Sequence, residues 1–365
     1  MQLALLGWSP RFAAAFAVHA AAGLIPGRVV QQFNHIYTVA GEGGEMRAQL
    51  SGRLRHEAAP EQLPVAGDWV ALRVPSGRYQ GQSSSGSAQV VAVLPRATRF
   101  SRRAAGKSDR EQVIAANLDH AFLVSGLDND FSPRRIERYL TAAWDSGATP
   151  VVILNKLDLY PDHAARIRAV EAVAAGVAIH AVSALRGDGL EELAPYCSPG
   201  RTVAMLGSSG VGKSTLINRL TGAGSQVTQP VLEDGRGRHT TSRRELLFCT
   251  QGGMVIDTPG LRELRLWDDD EGLQITFDEI ETLARHCHYR DCRHQEEPGC
   301  AVLEAVKDGR VSAERLSNLH KLQRELAWLD RRENPIADLA EKRRWKSIHK
   351  SAKRFMNESP KHKPE

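Results

Sequence analysis

The sequence predicts a multidomain protein: a small β-barrel, then a parallel α/β domain, then a small helical metal-binding domain. Three patterns carry this. Residues 27–100 hold short strand-like segments separated by Gly-rich turns. Short apolar runs alternating with helical stretches follow, to about residue 268. From about 275 to 355 the pattern is helical with no convincing strand, and three of the five cysteines fall within 14 residues there. The expected parts are an N-terminal helical extension (1–26), the barrel (27–100), the α/β domain (101–268), the helical domain (269–345) and a basic tail (346–365). A chain of 365 residues with 42% hydrophobic content suits two or three such cores.

The first apolar run, Phe12 to Ile25, lacks the basic leader of a secretion signal. Ser9-Pro10 reads as a helix start and Gly23 as its stop, so a short helix packed on the body is expected. In the barrel region Val29 to Val39 is strand-like around a turn at Asn34-His35. Met46 to Leu54, Asp68 to Leu72 and Gln89 to Leu94 follow. An SH3-like barrel fits that pattern as well. Further on, Ala121 to Ser125, Pro150 to Leu154, Ala178 to Val182, Thr202 to Leu206 and Met254 to Asp257 suit strands buried on both faces. Helices are expected at Arg134 to Ser146, Ala164 to Ala175 and Lys213 to Thr221. No apolar stretch reaches the length of a membrane span, and a cytoplasmic protein is expected.

Three motifs sit at the ends of apolar runs. Gly207-Ser208-Ser209-Gly210-Val211-Gly212-Lys213-Ser214-Thr215 matches the phosphate-loop pattern, between a strand and a helix. Its glycines let backbone N–H groups wrap phosphates, and the helix N-terminus adds positive charge. Lys213 is placed to reach β/γ-phosphates and Ser214 to ligate Mg²⁺. Asp257-Thr258-Pro259-Gly260 supplies a carboxylate for Mg²⁺ and a backbone N–H near the γ-phosphate. Asn155-Lys156-Leu157-Asp158 points to guanine. Guanine offers N1–H and N2–H₂ side by side, and one carboxylate accepts both; adenine would leave Asp158 facing an acceptor. Asn155 is expected on the base edge, Lys156 along the ring, and Ser183-Ala184 beside guanine O6. The order of the motifs is permuted relative to ordinary small GTPases, with the guanine motif ahead of the phosphate loop. Chain termini lie near one another on most surfaces, so permutation is tolerated.

Cys287-x₄-Cys292-x-His294-x₅-Cys300 offers three thiolates and an imidazole, a donor set for structural zinc. His286 and His288 fit the spacing as well. Cys197 and Cys249 read as small buried residues. Formal net charge is +5, yet residues 341–365 hold nine Lys/Arg against three Glu. A basic tail on a near-neutral body, with Trp345 among the charges, suits a polyanion such as RNA. Phe100 to Lys107 reads as a second basic loop.

With these motifs the chain resembles the ribosome small-subunit-dependent GTPase A family (RsgA, also called YjeQ), the circularly permuted bacterial GTPases. The resemblance spans about 27–345. It includes Val65-Ala66-Gly67-Asp68-Trp69-Val70, Leu94-Pro95-Arg96, Gln112 to Asn117, Arg138-Tyr139-Leu140 and Gly237 to Thr241. It implies an OB-fold barrel, a permuted P-loop G domain and a zinc-bearing helical domain, and it selects His294 as the fourth zinc ligand. It implies GTP hydrolysis stimulated by the small ribosomal subunit late in maturation, with the subunit and its rRNA as partners; a monomer and no membrane contact are expected. A nucleotide-dependent RNA-binding scaffold, or a permuted GTPase acting on another ribosomal particle, is the alternative.

Gly235 to Thr241 reads as a first switch loop, with Thr241 favoured over Thr240 as the Mg²⁺ ligand. Leu261 stands where small GTPases carry a water-orienting Gln. His239 is the nearest replacement in sequence; an Arg or rRNA group from the partner is the other. Slow intrinsic turnover is therefore expected, with His239, Thr241, Lys213 and Gly260 as the catalytic set.

Overall fold

The computed structural model describes residues 2–33, 36–75, 88–103, 111–160, 162–222, 244–257 and 270–333. The chain opens on α1 (Pro10–Ala21), with Pro10 in the first turn. Gly23 follows at φ +71°, a left-handed position that ends the helix as expected.

The barrel has five strands: β1 (Ile25–Phe33), β2 (Ile36–Gly41), β3 (Gly44–Leu50), β4 (Trp69–Arg73) and β5 (Ala88–Val93). They pair in the order β1-β2-β3-β5-β4, and β4 returns to β1 to close the ring. β3 and β5 run parallel; the other barrel pairs are antiparallel. That closure is the OB arrangement rather than an SH3-like meander. Alternate residues such as Val29, Tyr37, Val39, Val70, Leu72 and Val90 fill the interior. The strand expected from Met46 to Leu54 stops at Leu50. Ser51 Oγ accepts the Leu54 N–H at 3.3 Å and starts α2 (Gly52–Glu57). An N-cap there ends the alternation.

A two-stranded sheet follows, β6 (Arg99–Arg103) with β7 (Glu111–Ala116). The segment read as a basic loop from Phe100 therefore begins as a strand, with Phe100 buried. Residues 104–107 of it lie outside the described residues.

The α/β domain has parallel strands β8 (His120–Gly126), β9 (Thr149–Asn155), β10 (Ala178–Ala181) and β11 (Thr202–Leu206), with α3 (Pro133–Asp145), α4 (Ala164–Glu171) and α5 (Lys213–Thr221). β12 (Arg244–Phe248) and β13 (Met254–Asp257) complete the order β10-β9-β8-β11-β13-β12. β12 has no counterpart among the expected strands. It runs antiparallel to β13 and also to β1 of the barrel, at Gln31↔Glu245 and Gln32↔Arg244. One hydrogen-bonded sheet thus passes from the nucleotide half into the barrel.

Among the described residues four helices follow: α6 (Asp270–Thr276), α7 (Asp278–Ala284), α8 (Ala301–Lys307) and α9 (Ala313–Glu333). α9 buries Leu316, Leu319, Leu322 and Leu326, the three- and four-residue spacing of one helix face. No helix among the described residues is long and apolar enough to cross a membrane.

The barrel meets the α/β domain around Arg28. Its guanidinium is buried and donates to the carbonyls of Leu6 (2.5 Å), Gly67 (3.1 Å) and Asn117 (2.8 Å). Burial lowers its pKa to about 10, against the pull of Asp119 and Asp68, so it stays charged at neutral pH. Asn117, at φ +57°, donates from Nδ2 to Gly67 O (3.1 Å) and accepts from Ala97 N–H (2.8 Å). Arg96 grips both oxygens of buried Asp68, at 2.9 and 2.8 Å. Gly67 sits at φ +91°, where a Cβ would lie 2.1 Å from Ala116 O. Replacing Arg28 by Ala strips the donor from three carbonyls. Arg28→Ala is expected to cost about 3 kcal/mol of stability. A fall in the urea midpoint at constant m-value is the check.

Candidate nucleotide site and metal centre

The site forms at the C-terminal ends of the parallel strands. Connections from β8 run toward β9, while those from β11 run toward β13, so the crevice opens between β8 and β11. The phosphate loop follows β11 and leads into α5, whose first residue is Lys213. Gly207 takes φ +151° with a Cβ position 2.2 Å from Val124 O; Gly212 takes φ +97°, with its Cβ position 2.2 Å from Asn155 Nδ2. Any side chain at either place would push the loop off its neighbours. Gly210 has φ +79°, so Ser208, Ser209 and Val211 are carried on a tight turn. Lys213 Nζ donates to the carbonyls of Gly207 (2.6 Å) and Ser208 (2.5 Å), which holds the ammonium over the loop. Ser214 and Thr215 occupy the first turn of α5.

Asn155 ends β9, and its buried amide ties two loops together. Nδ2 donates to Val211 O (2.8 Å), and Oδ1 accepts from Ala184 N–H (2.9 Å). The sequence pointed this amide at the base edge; its two ends also engage the phosphate loop and the Ser183-Ala184 loop, and an amide has a second hydrogen-bonding position at each end. Leu157 N–H donates to Val182 O (3.0 Å). Ser183 Oγ donates to Asp158 Oδ1 (2.6 Å), fixing the carboxylate. Arg219 of α5 donates to Ala184 O (3.0 Å) and braces that loop from below. Lys156 stands at φ +70° and pairs with Asp128, on the loop after β8. Burial raises the Asp128 carboxyl, but Lys156 and the Asp130 N–H outweigh it and hold it below the usual range. Asp257 closes β13, next to β11 across the Ala204↔Ile256 pair. Asp128 and Arg219 were not expected in the site: no spacing rule links them to the motifs.

Other expected residues lie outside the described ones: His239, Thr240 and Thr241 of the first switch segment, Gly260 and Leu261 after Asp257, and the basic tail with Trp345.

The second centre sits before α8. The ligand atoms of Cys287, Cys292, His294 and Cys300 all lie within 4.8 Å of one another. Cys287 Sγ is 3.9 Å from Cys300 Sγ, and His294 Nδ1 is 3.6 and 3.3 Å from those two sulfurs. Metal–sulfur bonds of about 2.3 Å in a tetrahedron require sulfurs about 3.8 Å apart, so the cluster can hold one ion. His294 reaches it from φ +58°. His286 bonds instead to Thr282 O (3.1 Å), and the His288 ring packs edge-on against Tyr289. Cys300 also caps α8, accepting the Leu303 N–H at 3.4 Å. One of the four donors therefore starts the helix.

Two outcomes follow. Asn155→Ala frees both loops and is expected to weaken guanine-nucleotide binding about 100-fold in a fluorescent-nucleotide titration. Cys287→Ser is expected to reduce bound metal from about one per chain to none by mass spectrometry, with a lower Tm.

The sequence model of the RsgA GTPase family matches residues 93–267. A small ribosomal subunit biogenesis GTPase RsgA of Opitutus terrae is 48% identical over 353 residues, 96% of this chain and 96% of that protein. Its namesake in Syntrophotalea carbinolica is 40% identical over 98% of this chain and 99% of its own length. The crystal structure of YjeQ from Thermotoga maritima superposes with a TM-score of 0.62 at 30% identity, covering 83% of this chain and 99% of that one. YloQ, titled a circularly permuted GTPase, shares the fold at a TM-score of 0.61 and 24% identity, over 83% of this chain and 95% of its own. With its phosphate loop behind its guanine motif and a five-stranded barrel in front, the chain belongs to the RsgA GTPase family.

Proposed function

We propose that this protein hydrolyses GTP during biogenesis of the small ribosomal subunit. It binds the subunit and its rRNA in the GTP state and leaves when the subunit stimulates hydrolysis. The observation that carries the reading is the Asn155 amide, which locks the guanine motif, the Ser183-Ala184 loop and the phosphate loop into one crevice. RsgA is the name borne by the relatives of nearly full length.

Each residue then has a task. Asp158 accepts guanine N1–H and N2–H₂, with Ser183 holding its other side. Loop N–H groups from Gly210 to Ser214 donate to phosphate oxygens, and Lys213 neutralises charge as it develops at the β/γ bridge. Ser214 and Asp257 would hold Mg²⁺, which supplies further charge neutralisation when bound. Thr241 would join them, and Gly260 would donate its N–H to the γ-phosphate. His239 orients the attacking water in place of the missing Gln. The Cys287, Cys292, His294 and Cys300 cluster suits Zn²⁺, with four protein donors and no open position, a structural rather than catalytic ion. The basic tail and the barrel face contact rRNA.

Phosphate release measured with small subunits, large subunits and neither is the direct test. Stimulation by small subunits alone is expected; equal rates in all three would overturn the reading. Asp158→Asn is expected to lose about 100-fold in GTP affinity and to gain affinity for xanthosine triphosphate, whose C2 carbonyl matches an amide donor. His239→Ala is expected to keep GTP affinity and lose most hydrolysis.

A further inference from the structure

The sheet topology that opens the crevice between β8 and β11 also brings the start of α3 against the phosphate loop. Arg135 stands there. Its Nη1 donates to Ser208 Oγ at 2.6 Å and pairs with Asp130 Oδ1 at 2.5 Å. Ser208 is the second residue of the loop, and its carbonyl holds Lys213 Nζ. One residue of the loop is therefore bound by Arg135 through its side chain and by the phosphate-binding lysine through its backbone.

The rest of α3 is fastened to the helical domain. Glu137 is buried, with Arg315 Nη1 on Oε1 at 2.5 Å and Asn318 on Oε2. Arg315 also pairs with Glu279 and donates to Thr276 O at 2.7 Å. Arg138 pairs with Glu325 on α9. Thr141 Oγ1 donates to Thr276 Oγ1 at 3.2 Å, and Asp145 Oδ1 accepts the Gly272 N–H at 2.7 Å. Gly272 leaves no room for slack, since a Cβ there would lie 2.4 Å from Thr141 O. From Arg135 to Asp145 the helix spans about 15 Å. One end touches the phosphate loop, and the remainder is tied to α6 and α9 by directional polar contacts. Such contacts have discrete alternatives rather than a continuous range of lengths.

We infer that Arg135 is a positioning residue that couples the nucleotide state of the phosphate loop, through Ser208 and the rigid α3, to the packing of α9 in the helical domain. The inference rests on the GTPase reading above. A loop that closes on a γ-phosphate moves Ser208 Oγ; the guanidinium, pinned by Asp130, carries the shift into α3. Glu137 and Arg138 lie two and three residues on and transmit it to Arg315, Asn318 and Glu325.

The test is hydrogen exchange of α9 amides in the full chain, with GDP and with a non-hydrolysable GTP analogue. Wild type is expected to differ between the two states by about 5-fold or more. Arg135→Ala and Ser208→Ala are each expected to abolish the difference, read with nucleotide saturating for every variant; Arg135→Ala is expected to keep nucleotide affinity within about 3-fold. The double variant is expected to do no more than either one. Arg135→Lys, which keeps the charge without the planar fork, is expected to restore part of it. Arg134→Ala, at the exposed neighbour, is expected to change nothing. Small-subunit stimulation of kcat should fall in Arg135→Ala with KM for GTP unchanged. A wild type with nucleotide bound and no difference at α9, or an Arg135→Ala protein that keeps the difference, overturns the coupling alone. A wild type that binds no GTP overturns the GTPase reading, and the coupling with it; the titration separates that result from the others.

Discussion

Arg28 carries a full positive charge into the buried interior. A guanidinium so placed must be met by acceptors on several sides, because an unpaired buried charge is costly. Those acceptors are backbone carbonyls from three parts of the molecule: Leu6 before α1, Gly67 ahead of β4, and Asn117 after β7. Moving any of them away strands the charge. The N-terminal segment, the barrel and the start of the nucleotide domain are therefore held in one relation. The edge-to-face contact of Trp8 with Trp69, with ring centroids 4.6 Å apart, fills the apolar space beside it.

The junction explains motifs that carry no nucleotide chemistry. Gly67, Asp68, Arg96 and Asn117 occur in strings far apart in sequence, and all of them meet here. Gly67 lacks a side chain because Ala116 O occupies that space. Asp68 is buried, which pushes its carboxyl upward in pKa, while the paired nitrogens of Arg96 and the Val65 N–H act the other way. The junction is also continuous by backbone, since β12 bonds to β13 on one side and to β1 on the other. The nucleotide half has two rigid neighbours, the barrel through β12 and Arg28, and the helical domain through α3 and Arg315.

Much of the site was legible from sequence because phosphate and guanine recognition use local strings. A phosphate loop needs its glycines and lysine within nine residues, and the metal cluster needs its donors within one short loop. The helix expected at Lys213 to Thr221 has those limits in the structure. β12 was not legible, since Arg244 to Phe248 is short and one of its two partners, β1, lies more than two hundred residues away. Asn155 was recognised, but its contacts to the two loops were not. A string shows that an amide is present, and not that Val211 O and Ala184 N–H will reach it. The strand through Leu54 was overextended because alternation continued past a serine able to cap a helix.

The sequence by itself determined the chemistry of this protein: which groups can meet phosphate, guanine and a soft metal ion, and in what order along the chain. Tertiary structure alone decided how those groups are held and to what they are coupled. The physical reason is that Arg28, Asn155 and Arg315 each find backbone carbonyls among their partners. Every residue carries a carbonyl, so no residue name marks the ones a fold will bring to a buried charge or amide.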